Sequence, residues 1–235
     1  MKRTLVIIRP EPGCSMTARA GRELGLDVVC HPLSAIEPIP WALPPGKFDG
    51  LLLGSANALR HAGPAVEKLV DIPVYAVGNT TASAAAEHRF RVAAVGSGGL
   101  QALLETLDGQ RLRLLRLAGE ERVVLSPPPG IEIVEAIAYR SVERPMSPDL
   151  AEMLQGGAVI LLHAAGAARH FANECDRIGI PRDRISLAAL GPRIAAAAGE
   201  GWREVRSAPQ PNDPALLALA REMCHEPFPG RDGRQ

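Results

Sequence analysis

Two short stretches combine a permissive turn with hydrogen-bonding side chains where a helix should begin. Gly78-Asn79-Thr80-Thr81 offers an amide and two hydroxyls at a predicted helix amino terminus, where unpaired backbone N–H groups attract an anion. Ser55-Ala56-Asn57 occupies the matching place on the preceding strand–helix loop. Capping is the simpler use of such residues, but two loops of this kind facing one crevice favour an anion site. Arg9, between a buried strand and Pro10, should emerge at the carboxyl edge of a sheet, where a guanidinium suits a carboxylate. Arg193, in Gly191-Pro192-Arg193-Ile194, invites the same argument, with solvated loop arginines as the plain alternative for both.

Other residues carry weaker chemistry. Tyr139 is one of only two tyrosines, so its phenol stands out as a hydrogen-bond donor, although packing at a half-wet surface is the ordinary role of such a residue. His163, with Ala164 at a strand end, is the one histidine worth retaining, first as a buried or capping residue. The six histidines show no metal spacing, and no Gly-x-Ser-x-Gly nucleophile turn accompanies them. Gly96-Ser97-Gly98-Gly99 fails the dinucleotide pattern and reads as a turn before a helix. Cys14, Cys30, Cys175 and Cys224 are scattered, with no short pair for a metal or a redox dithiol, and read as buried small hydrophobes. No cofactor is expected.

The elements that must position these residues repeat. Residues 5–8 form an apolar run ending in Arg9-Pro10-Glu11-Pro12-Gly13, followed by a helix over 17–24 and a strand over 27–30. The strand–turn–helix of 48–61 is copied in shape by 157–170, and that of 73–82 by 185–195. A strand at 92–95 precedes a helix at 99–107, and a strand at 204–207 precedes a helix at 214–223. Residues 113–117, followed by Ala118-Gly119-Glu120-Glu121, mirror the opening strand and turn. The chain therefore reads as duplicated near residues 1–109 and 110–235. Strands alternating with helices imply α/β lobes with parallel sheets and ligand groups on the loops after the strands' carboxyl ends. Residues 34–40 and 136–143 are extended and Pro-bounded, a candidate paired hinge, and 225–235 is expected to be a disordered tail.

Composition bounds the partners. The 235 residues carry 26 basic and 26 acidic groups, which excludes the uniform positive field of a dedicated nucleic-acid binder. No run reaches the ~20 apolar residues of a membrane helix, and the start lacks a signal-type stretch. A cytoplasmic protein with no membrane partner is expected.

The order and spacing of these motifs resemble the uroporphyrinogen-III synthase family. The likeness rests on the Arg9-Pro10 turn, residues 49–58 (DGLLLGSANA), 77–82 (VGNTTA), Ala138-Tyr139-Arg140 and 190–195 (LGPRIA), and runs from about Lys2 to Met223. It implies two flavodoxin-like lobes joined by a two-stranded β ribbon that the chain crosses twice. One lobe would hold 1–34 with 143–235, the other 41–136, with 35–40 and 137–142 as the ribbon. It also implies the substrate hydroxymethylbilane, a linear tetrapyrrole with eight carboxylates, received from the upstream deaminase by a monomeric enzyme. Loss of the terminal hydroxyl, passage through a spiro intermediate and inversion of ring D would give uroporphyrinogen III. Tyr139 matches the tyrosine assigned to hydroxyl departure. The substrate-binding positions would be Arg9, Pro10, Ser55, Ala56, Asn57, Gly78, Asn79, Thr80, Thr81, His163, Ala164, Gly191, Pro192, Arg193 and Ile194. The chain departs from the family at Gly54-Ser55 and His163-Ala164, where relatives often carry Thr-Ser, and at Arg193-Ile194, where others place two threonines. A two-lobed binder of a small anion, without catalysis, is the competing reading.

Overall fold

The computed structural model describes residues 3–225. They divide into two compact units, one holding the described residues up to Ala35 and from Glu143 onward, the other Ile36–Val142.

The first unit is built on a five-stranded sheet of order β11-β10-β9-β1-β2. Its strands are β1 (Leu5–Ile7), β2 (Val28–Cys30), β9 (Val159–Leu162), β10 (Ser186–Ala189) and β11 (Glu204–Ser207), and every pairing is parallel. Side chains alternate between faces along a strand, and two cores follow from that. Val6, Ile160 and Leu187 face α5 (Pro148–Gln155) and α6 (Ala165–Ile178), whereas Leu5, Ile7, Val159 and Leu161 face α1 (Gly13–Glu23) and α8 (Asp213–His225). Covered on both sides, the central strands are apolar throughout, as the runs at 5–8 and 159–162 announce. Phe171 of α6 is fully buried and stacks on Trp202, with ring centroids 5.5 Å apart.

The second unit has a six-stranded sheet of order β3-β8-β7-β4-β5-β6. Its strands are β3 (Ser34–Pro38), β4 (Gly50–Leu53), β5 (Val74–Val77), β6 (Val92–Gly96), β7 (Leu112–Gly119) and β8 (Ile131–Glu143). Leu51, Leu53, Leu115 and Leu117 pack towards α2 (Ala56–Arg60) and α3 (Asn79–Glu87), and Leu52 and Leu114 towards α4 (Gly99–Glu105). The strands from β8 to β6 are parallel. At the edge, Ile39 N–H donates to Ala138 O and Arg144 N–H to Leu33 O, so β3 runs opposite to β8.

Omitting the edge strand β3, the two strand orders superimpose element for element. β9, β10 and β11 answer β4, β5 and β6, and β1 and β2 answer β7 and β8. Each sheet therefore draws strands from both sequence repeats. The remaining helix, α7 (Pro192–Ala197), contacts α6, β10 and β11.

Element boundaries differ from expectation where side chains intervene. The first helix begins at Gly13, four residues early, because the Glu11 carboxylate accepts from Ser15 N–H and Oγ and supplies a cap that the Pro-Gly turn hid. Pairing with β7 lengthens β8 to thirteen residues. The expectation for the tail lies outside the described residues, apart from His225, which closes α8.

Candidate active site

In each sheet the connections reverse direction at one point, where a crevice opens beyond the strands' carboxyl ends. In the second unit this point lies between β4 and β7. A cavity of about 240 Å³ occupies it, lined by Gly54, Ser55, Val77, Gly99, Leu100, Arg116, Leu117, Ala118, Gly119, Glu121, Arg122, Val123 and Tyr139. The fold thus brings together Ser55 and Tyr139, which are 84 positions apart in the sequence.

Each wall has a local cause. Ser55 is the N-cap of α2, its Oγ accepting from Asn57 N–H at 3.2 Å. Ala56 is buried in the core, and Asn57 Oδ1 accepts from Arg60. Gly119 lies beside Tyr139, where a Cβ would come within 2.7 Å of the ring, so the absence of a side chain makes room for the aromatic. The Tyr139 ring also lies 6.3 Å from that of His61, tilted by 41°.

Two cationic lining residues escape a reading by motif. Arg116 is buried in the middle of β7; its Nη1 donates to Glu135 Oε1 at 2.7 Å and to Val123 O at 2.9 Å, while its Nε has no partner among the described residues. Arg122 Nε binds the other carboxylate oxygen of Glu135 at 2.7 Å. Burial opposes the Glu135 charge, but the two guanidiniums outweigh it and hold its carboxyl below the usual range. The one-unit positive excess of the two guanidiniums over Glu135 is matched by the Glu121 carboxylate in the lining, so the cluster is formally balanced. The available signal was an arginine set between Leu115 and Leu117 in the middle of a strand.

Gly78 is the N-cap of α3 with φ of 78°, a left-handed value that favours glycine. No side chain caps this helix, so Asn79 and Thr80, both exposed, are not consumed by capping, whereas Thr81 is buried. They begin two residues beyond Val77 and do not line the cavity.

In the first unit the reversal lies between β1 and β9, the strands that precede Arg9 and His163. Here Arg9 is held by partners within the chain. Arg9 Nη1 binds Asp213 Oδ2 at 3.1 Å and reaches Thr17 Oγ1 at 3.3 Å, and Thr17 itself donates to Asp213 at 2.8 Å. Asp213, at the start of α8, lies 204 positions from Arg9, so no local pattern exposes it. Arg9 Nη2 has no partner among the described residues. His163 Nε2 stands 3.5 Å from Asp213 Oδ1, and neither ring nitrogen makes a close hydrogen bond. Burial pushes the imidazole below its ordinary 6.5, although Asp213 pulls the other way, so it is neutral at pH 7. Burial likewise opposes the Asp213 charge, but His163, Thr17 and Arg9 bring its pKa down to about 2. With the imidazole neutral, Thr17 and Arg9 are the lasting partners.

The remaining positions are spread along that edge. Pro10 O accepts from Cys14 N–H, and Ala164 and Gly191 are the N-caps of α6 and α7 without side-chain caps. Pro192 opens α7, Arg193 is exposed without a polar partner among the described residues, and Ile194 packs against the core. Ile194 therefore has an evident packing role.

Comparison with known proteins places this geometry. No curated protein matches the chain. Among solved structures, uroporphyrinogen-III synthetase from Helicobacter pylori 26695 is similar at TM-score 0.64 and 20% identity, covering 94% of this chain and 99% of that one. A mutant uroporphyrinogen III synthase from the extremely thermophilic bacterium Thermus thermophilus is similar at TM-score 0.53 and 17% identity, covering 95% and 100%. At those identities the likeness is one of fold. The profile of the HEM4 family, uroporphyrinogen-III synthase HemD, matches residues 15–218. The match takes in the whole second sheet and, in the first, every strand but β1, and the chain belongs to the uroporphyrinogen-III synthase family, cyclising lyases of tetrapyrrole biosynthesis.

Proposed function

We propose that this chain cyclises hydroxymethylbilane, with inversion of ring D and loss of water, to uroporphyrinogen III. The observation that carries the reading is the cavity at the β4–β7 reversal, where a phenol, a capping hydroxyl and a buried guanidinium converge in a chain of this family.

The reaction needs little acid–base machinery. The bilane closes unaided to the uninverted isomer, so the catalyst must hold the reactive chain in one geometry and let the inverted closure win. Carboxylate arms of the substrate bind the α2 and α3 amino termini through Ser55, Ala56, Asn57 and Gly78 to Thr81, with Arg116 adding charge from within the sheet. In the other unit Arg9 offers Nη2 while Asp213 and Thr17 fix its Nη1, and Pro10, His163, Ala164 and residues 191–194 are that unit's own candidate contacts for a carboxylate. Tyr139 donates its phenolic proton to the departing hydroxyl, which leaves as water; the ring D N–H proton restores the phenol as the azafulvene forms, and attack on that azafulvene gives the spiro intermediate. His163, held neutral and buried, packs beside Asp213, which Thr17 and Arg9 hold in place.

We also assign the enzyme to the cytoplasm as a monomer that receives its substrate from the upstream deaminase. Among the described residues no helix is long and apolar enough to cross a membrane. The site assignment is tested by Tyr139→Phe, assayed for isomer III formation and bilane affinity. Turnover should fall at least tenfold with affinity changed less than threefold, a split expected of a group acting in the transition state. Unchanged turnover would leave Tyr139 a packing residue.

A further inference from the structure

We infer that Glu11, Cys14 and Cys30 form a binding site for a thiophilic divalent cation such as Zn(II) or Cd(II). The sequence holds these cysteines sixteen positions apart, without chelating spacing. The β1-α1-β2 fold removes that separation. Ile7 is in register with Cys30, and Cys14 Sγ donates to Ile7 O at 3.3 Å, so both thiols gather about one residue of β1. The two sulfurs and a Glu11 carboxylate oxygen all lie within 4.8 Å of one another.

Magnitudes favour a bridging ion over a direct bond between the sulfurs. Two thiolates on a tetrahedral zinc at about 2.3 Å stand about 3.8 Å apart. The present spacing needs a contraction of at most about 1 Å to reach that, whereas a disulfide requires closure to about 2 Å. Burial and the neighbouring Cys30 raise the Cys14 thiol well above its ordinary range, so its thiolate forms with the metal and not ahead of it. Its place in the first turn of α1, near the amino-terminal dipole, eases that loss of the proton. Binding would also release its bond to Ile7 O, but that carbonyl still accepts from His31 N–H. The Glu11 oxygens are held by Ser15, and a carboxylate retains further lone pairs for a metal. Glu11 is exposed and Cys30 half-buried, so an ion has a way in, with water able to complete its coordination. Two sulfurs and one oxygen select zinc or cadmium over magnesium or calcium.

The full chain, its thiols reduced with a phosphine, should be titrated with CdCl₂ while the ultraviolet thiolate-to-cadmium absorption is followed. One equivalent should bind with that band. Cys30→Ser, checked for native circular dichroism, should lose the band and at least tenfold in affinity, and Glu11→Gln should weaken binding several-fold with the band retained. Cys175→Ser, altering a buried thiol elsewhere, should bind as the unaltered chain does. No thiolate band in the unaltered protein, or an undiminished band in Cys30→Ser, would overturn the site.

Discussion

Ser55 performs two tasks at once: its hydroxyl caps α2 and its side chain lines the cavity. Ser55→Ala should cost about 1 kcal/mol in urea unfolding, with Ser55→Thr recovering most of it. His163 gives a residue-scale test in pH. The fold holds its imidazole below the ordinary 6.5, so the unfolded chain takes up the proton first. Its contribution to stability is complete above about 6.5 and is lost as pH falls through the folded value. Unfolding free energy measured from about pH 8 to about pH 5 should therefore fall less steeply in His163→Gln than in the unaltered protein. His61, also depressed by burial and by Arg60, supplies a slope that survives in both. Identical slopes in the two proteins would remove His163 from this role. At this scale, legibility in the sequence follows locality. Ser55 and the Gly78 turn could be read because a cap and a left-handed turn are properties of a few consecutive residues. Asp213 and Arg116 could not, because their roles arise from partners that only the folded sheets bring near.

Among elements, α6 shows how one buried charge ties a connection to a core. Glu174 is buried; its Oε2 accepts from Met146 N–H at 2.6 Å, and Arg177 binds both its oxygens at 2.7 Å. The Arg177 hydrogen bonds, against the opposing effect of burial, bring its pKa to about 2. Glu174→Ala strands the Met146 N–H beside the start of α5 and should destabilise the chain by about 2–3 kcal/mol in chemical denaturation. A change below about 0.5 kcal/mol would show the contact to be replaceable. The central strands were legible because a strand covered on both faces is apolar at every position. Less legible were ends set by long-range contacts. β8 reaches back to Ile131 because β7 pairs with it from Ile131 to Tyr139, and α1 starts early because Glu11 folds back on Ser15.

On the scale of the whole molecule, duplication accounts for the strand order that both sheets share. That repeat was visible in the order of strand–turn–helix segments, since each segment is local. The cysteine pairing was not, because the same crossover that builds a βαβ unit closes a sixteen-residue separation without leaving a mark in spacing. The two reversal points have diverged. One encloses a cavity with a phenol and a buried guanidinium, and the other holds a hydrogen-bonded Arg9–Thr17–Asp213 cluster beside a neutral histidine. The central claim concerns what this scaffold does to a reactive bilane. Freshly generated hydroxymethylbilane should be supplied to the purified chain, the products oxidised, and the porphyrin isomers resolved by chromatography. Isomer III should predominate and form faster than the isomer I of a protein-free control. Isomer I alone, at the control rate, would contradict the account.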